Sequence, residues 1–137
     1  MSGSFSKAGI KLNGLLALTG SIEAVTGLAL LVDPAIVTRL LLGVEVSGVA
    51  IALGRVAGFG LLSLGLASVP RRNAAGDSAS AFRAMLTYNL LDTLYLLYLG
   101  IGGEWVGRLL WPAVVLHGAL TLLLAGTWFR ARKTAVH

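Results

Sequence analysis

Residues 12–32 read LNGLLALTGSIEAVTGLALLV, and Glu23 is the only charge among them. At a rise of about 1.5 Å per residue the run is roughly 30 Å long as a helix, the thickness of a bilayer's hydrocarbon core. A carboxylate at its middle needs a reason.

Three more apolar blocks of similar length follow, at about 48–69, 82–100 and 108–128. Hydrophobic residues make up 56% of the 137 positions and charged residues only 12%, about half the charged share of a soluble domain. The mean hydropathy is +0.84. These features predict an all-α integral membrane protein of one domain, a four-helix antiparallel transmembrane bundle whose partner is the lipid bilayer. The first run reads as a span and not a cleaved leader, because it is too long and carries Glu23. The net charge of +5 does not indicate nucleic acid, since the basic residues stand at block ends without interleaved aromatics. With no cysteine there is no disulfide or thiolate chemistry, and any redox role needs an external carrier. The reading calls for no cofactor.

Pro34 disfavours helix at the residue before it and ends the first span. Beyond it, Ile36, Val37, Leu40, Leu41 and Val44 recur at helical spacing over a stretch too short to cross the membrane, which predicts a short interfacial or re-entrant helix. Pro112 is tolerated in the first turn of the fourth span. Residues 70–81 read as a solvated connector and 129–137 as a loose tail.

Eight of the eleven basic residues (Lys7, Lys11, Arg71, Arg72, Arg83, Arg130, Arg132 and Lys133) fall on the side of the termini, and Arg39 and Arg108 on the other. That bias predicts a multi-pass protein of the cytoplasmic membrane with both termini inside. Trp105 and Trp111 then mark the outer interface and Trp128 the inner one. Glu45, Asp77 and Glu104 read as solvated.

Each span carries one ionisable residue: Glu23, Arg55, Asp92 and His117. Counted from the span ends, they lie roughly 10–16 Å deep, at or slightly outside the bilayer centre. A lone charge at that depth costs about 2.5–3.5 kcal/mol on insertion scales, so the four are expected to converge inside the bundle, with Glu23 and Arg55 as an ion pair. Their neighbours favour an inward face. Thr19, Gly20, Thr26 and Gly27 flank Glu23, and Gly54 and Gly58 form a G-x-x-x-G beside Arg55. Tyr88, Asn89 and Tyr95 share the face of Asp92, and Thr121 lies one turn beyond His117.

With His117 neutral, Glu23, Asp92 and Arg55 sum to −1, so the site must hold a proton or a ligand. A metal is disfavoured because Arg55 shares the depth of the three ligand-type residues. The competing structural reading is an ion-pair network that fixes helix register.

The stretches GSIEAVTGLALLVDP (20–34) and ALGRVAGFGLLSLGLA (52–67) resemble the small four-span DoxX-type membrane proteins over the first half of the chain. That resemblance implies a quinone-like or other lipophilic partner and transfers no catalytic residue.

Three functions fit. The first is a mid-bilayer pocket for a small lipophilic molecule. Glu23, Asp92 and His117 would be its acid–base (catalytic) groups, for an isomerisation, cyclisation or epoxide opening, and Arg55, Tyr88, Asn89, Tyr95 and Thr121 would contact the ligand. The second is a proton-coupled transporter or exporter, functioning as a homodimer. The third is a non-catalytic accessory subunit of a quinone-linked membrane complex.

Overall fold

The computed structural model describes the backbone of residues 3–69 and 75–134, and side chains over 12–69 and 79–130. Five helices follow one another: α1 (Gly3–Val32), α2 (Pro34–Leu42), α3 (Val49–Ala67), α4 (Ala75–Gly102) and α5 (Leu110–Thr134). Four contain segments long and apolar enough to cross a membrane: Leu12–Val32, Val49–Ala67, Ala79–Gly102 and Leu110–Arg130. The chain is an all-α membrane bundle, with spans within three residues of those expected and the short helix α2 after the first.

Two expectations need correction. Residues 75–81, read as part of a connector, are the first turns of α4, and residues 129–134, read as loose tail, continue α5. Hydropathy marks where the hydrocarbon ends. It does not mark where the hydrogen-bond ladder ends, and Ala75, Ala79, Ala81, Arg130 and Arg132 all favour helix once nucleated. The side chains of Lys7, Lys11, Arg71, Arg72, Asp77, Arg132 and Lys133, which include most of the orientation signal, lie outside the described residues.

The bundle is built from two antiparallel pairs, α1 with α3 and α4 with α5, and each pair packs far more closely within itself than against the other. The first pair is a glycine seam. A Cβ built on Gly27 would stand 2.7 Å from the Gly58 carbonyl oxygen and 2.5 Å from the Leu62 nitrogen. Seven residues away on both helices, one on Gly65 would stand 2.5 Å from the Gly20 carbonyl oxygen. Only hydrogen fits there. Lipid offers helices no hydrophobic drive to associate, so close backbone approach supplies the contact energy instead. Gly54, one turn before Gly58, packs on the Pro34 ring and extends the seam to α2.

The α4–α5 pair is closed near the termini by an apolar plug. Leu16 of α1 meets Phe82, Met85 and Leu124, all buried, and Phe82 stacks on Trp128 with ring centroids 5.3 Å apart. Trp128, expected as an interfacial marker, is therefore also a packing residue. Trp105 and Trp111 are exposed.

At the opposite end, α2 forms a lid. The Asp33 carboxylate accepts the Ile36 N–H at 3.0 Å and caps α2 at its N-terminus, with Pro34 in the first turn. The last carbonyls of α2 would be orphaned at a helix end. Here the carbonyls of Leu40 and Leu41 accept the backbone N–H groups of Leu109 (2.8 Å) and Gly107 (3.0 Å) from the loop before α5. A Cβ on Gly107 would collide with the Leu40 carbonyl, so that stitch requires glycine.

The seam makes a direct prediction. Gly27→Ala should lower unfolding stability in mixed micelles by about 1–3 kcal/mol, the usual cost of overpacking. Gly14→Ala, where nothing lies within 4 Å of the added carbon, should leave stability unchanged or slightly raised.

Candidate functional site

Three of the four mid-span ionisable residues meet where α1, α4 and α5 approach. Glu23 is fully buried, and its Oε1 lies 3.8 Å from Nδ1 of His117. On the other side of the ring, Nε2 lies 3.3 Å from Oδ2 of Asp92. The imidazole thus sits between two carboxyl groups, one from α1 and one from α4. Tyr88 packs edge-on against it, with centroids 6.1 Å apart.

Asn89 decides how the imidazole is used. Its side-chain Nδ2 donates to the Met85 carbonyl one turn back at 2.9 Å, so its Oδ1 points at His117. That oxygen lies 2.8 Å from Nδ1. An amide oxygen only accepts, so Nδ1 carries a proton and donates it. The nitrogen left to exchange a proton is Nε2, which faces Asp92.

The Asp92 side of the ring opens into a cavity of about 920 Å³ lined by all five helices. Ile36, Val37, Leu40 and Leu41 of α2 roof it, and α3 contributes Ala57, Gly60, Leu61 and Leu64. Its polar lining is limited to Thr26, Thr38, Tyr88, Asp92 and His117. Both threonine hydroxyls are already committed to carbonyls of their own helix, Ile22 for Thr26 and Pro34 for Thr38. The remaining polar groups, Tyr88, Asp92 and His117, stand together at one end.

Glu23 does not line this cavity. Neither of its carboxyl oxygens has a hydrogen-bond partner. Thr19, one turn earlier and equally buried, donates its hydroxyl to the Leu15 and Leu16 carbonyls instead. Leu16 and Leu124 of the apolar plug lie two turns from Glu23 and His117, about 10 Å toward the termini.

The expected Glu23–Arg55 pair is not formed. Arg55 is on the exposed face of α3, while Gly54 and Gly58 beside it turn inward to Pro34 and Gly27. The physical reason is length. Arg55 is six residues from the start of α3, about 9 Å, and a long guanidinium side chain reaches the interface from there without an internal partner. Tyr95 is also outside the site, 58% exposed on the far face of α4. Thr121 donates its hydroxyl to the His117 carbonyl at 2.8 Å and supports the helix rather than lining the cavity. The cluster is therefore Glu23, Asn89, Asp92 and His117, with Tyr88 at its edge. The contribution of α2 was not anticipated, although its i, i+1, i+4, i+5 apolar spacing already defined a face that needed covering.

Removing Arg55 changes the charge count. With His117 neutral and both carboxyls ionised the cluster carries −2, and among the described residues no Lys or Arg pairs with either carboxylate. The absence of Arg55 also removes the main objection to a metal. Even so, no group of three ligating side chains among the described residues is arranged to hold one.

No protein-family model matches the sequence, and no curated protein or solved structure is significantly similar to it. The functional reading therefore rests on the geometry.

Two measurements check that geometry. The imidazole ¹⁵N spectrum of His117 should show a protonated Nδ1 in the native protein and a mixed tautomer population in Asn89→Leu. A double-mutant cycle should give no coupling between Glu23→Gln and Arg55→Met, and a coupling of about 0.5 kcal/mol or more between Glu23→Gln and His117→Gln, as expected for groups in contact.

Proposed function

We propose that this chain binds a small lipophilic molecule in the chamber beneath α2 and presents the Asp92–His117 pair to its polar group. The observation that carries the reading is the polarity of that chamber. Apart from Thr26 and Thr38, whose hydroxyls are spent on their own helices, it is apolar except at one end, where an acid and a base stand in contact. That is the arrangement expected of a ligand pocket with a few convergent polar groups.

The chemistry available is proton transfer. Asp92 in its protonated form donates to an acceptor atom of the ligand, and Nε2 of His117 takes a proton from another. The pair then holds the same number of protons as before, so no external donor is consumed. Isomerisation, cyclisation and epoxide opening all fit this balance. A quinone-like ligand, which the DoxX-type resemblance implies, fits the same chamber without requiring the pair to act as a catalyst.

One observation favours a second reading, proton-coupled transport. Glu23 is a buried acid in contact with the imidazole yet out of reach of the chamber, which suits a proton held in reserve. The plug of Leu16, Met85 and Leu124 would then have to open for transport. Catalysis needs no such opening.

The basic residues near the termini support a cytoplasmic-membrane protein with both ends inside. Tags at either terminus should resist external protease in intact cells.

The pocket itself is testable by native mass spectrometry after gentle detergent extraction. A retained molecule of drug-like mass is expected. It should be lost in Gly60→Phe, because Gly60 lines the chamber with open space at its Cβ position. Asp92→Asn should abolish turnover of an enzymatic substrate in detergent without a gradient. Under the transport reading the same variant loses uptake only in sealed vesicles with a pH difference. No retained molecule, and no difference between wild type and Gly60→Phe, would sink the pocket.

A further inference from the structure

The charge and layout of the chamber restrict what its ligand can be. Resting on the reading of the chamber as a ligand pocket, we infer that the ligand is a compact, electrically neutral lipophile carrying one hydrogen-bond-accepting oxygen, such as a ketone, an ether or an epoxide. Fatty acids and other amphiphilic anions are excluded.

Charge comes first. The ligand's polar group meets Tyr88, Asp92 and His117, with Glu23 directly behind the ring. The mid-span cation that would have received a carboxylate, Arg55, lies on an exposed face of α3 and does not line the chamber. His117 is the one group there able to carry positive charge, and it already stands between two carboxyls. A carboxylate entering this end would be a third acid beside a single base. The cluster is cheapest to bury when its protons bring it to neutrality. In that state it offers a proton to an acceptor oxygen and presents no countercharge to an ion.

Layout is the second constraint. The polar end lies at the level of His117, and the walls then run to Leu109, just before α5, eight residues or about 12 Å away toward the α2 roof. On α4 they run from Tyr88 to Leu96, the same distance. A membrane amphiphile keeps its head at the interface and its tail toward the bilayer centre. This chamber is laid out the other way, with polar groups deep in the spans and an apolar roof of Ile36, Val37, Leu40 and Leu41 toward the helix ends. An ordinary lipid would have to invert to fit. A compact molecule whose only polar group is a weak acceptor would not.

The test compares three probes of one shape in purified protein in nanodiscs: cyclododecanone, cyclododecanecarboxylic acid and cyclododecylamine at neutral pH. Displacement of an apolar fluorophore from the chamber reads binding, and Gly60→Phe reports nonspecific partitioning. The ketone is expected to bind in a Gly60→Phe-sensitive manner. The carboxylate should bind on the order of a hundredfold more weakly, because it gives up its hydration in a site that supplies no countercharge. In Asp92→Asn that gap should narrow, while Arg55→Ala should leave all three affinities unchanged.

Equal or tighter binding of the carboxylate overturns the inference and leaves the pocket reading standing. Carboxylate binding lost in Arg55→Ala would show that the guanidinium reaches the ligand, which overturns the inference in the same way. Tighter binding of the amine also overturns it and points to proton–cation exchange. If no probe shows Gly60→Phe-sensitive binding, the chamber is not a ligand pocket and both readings fall.

Discussion

In hydrocarbon, a carboxyl or an imidazole has no water to turn to, and that constraint shapes this protein. Each ionisable group in a span must either meet a partner from another helix or reach the interface along its own side chain. Glu23, Asp92 and His117 are too short to reach it, and they converge. Arg55 is long enough, and it does not join them. The distinction follows from side-chain length and depth, and it places the polar cluster between α1, α4 and α5 while leaving α3 outside it.

Convergence of that kind requires helices that hold their register. The glycine seam between α1 and α3 sets the position of Glu23, because Gly20 and Gly27 lie one turn to either side of it and are locked against Gly65 and Gly58. On the facing pair, stacking of Phe82 on Trp128 and the Asn89–His117 contact lock α4 to α5. The two closely packed pairs then meet loosely, and the space left between them is the chamber. α3 and α5 both line it without packing on one another. A tighter four-helix bundle of the same spans would have no room for a ligand.

The direction of the His117 imidazole depends on an amide that is itself inert. Asn89 spends its NH₂ group on a backbone carbonyl and its oxygen on His117, which leaves Nε2 as the titrating nitrogen beside Asp92. Without that amide either ring nitrogen could carry the proton and the imidazole would have no fixed direction. Glu23 is the counterpart of this arrangement, a buried acid with no hydrogen-bond partner on the side of the ring away from the chamber.

The four spans, the short helix between the first two and the residues at mid-depth were all legible in the sequence. They follow from local quantities: the length of an apolar run, the position of a proline, the count of residues to a helix end. Glu23, Asp92 and His117 could be grouped because hydrocarbon penalises each of them separately. Which pairs with which could not be read, since pairing depends on the rotation of each helix about its axis. Gly58 and Arg55 are neighbours in sequence and lie on different faces in space. The chamber, its α2 roof stitched to Gly107 and Leu109, and the tautomer of His117 likewise arise from contacts between distant segments. The chain alone determined what had to be hidden from lipid, and only the packing of α1 on α3 and α4 on α5 decided what those groups would face.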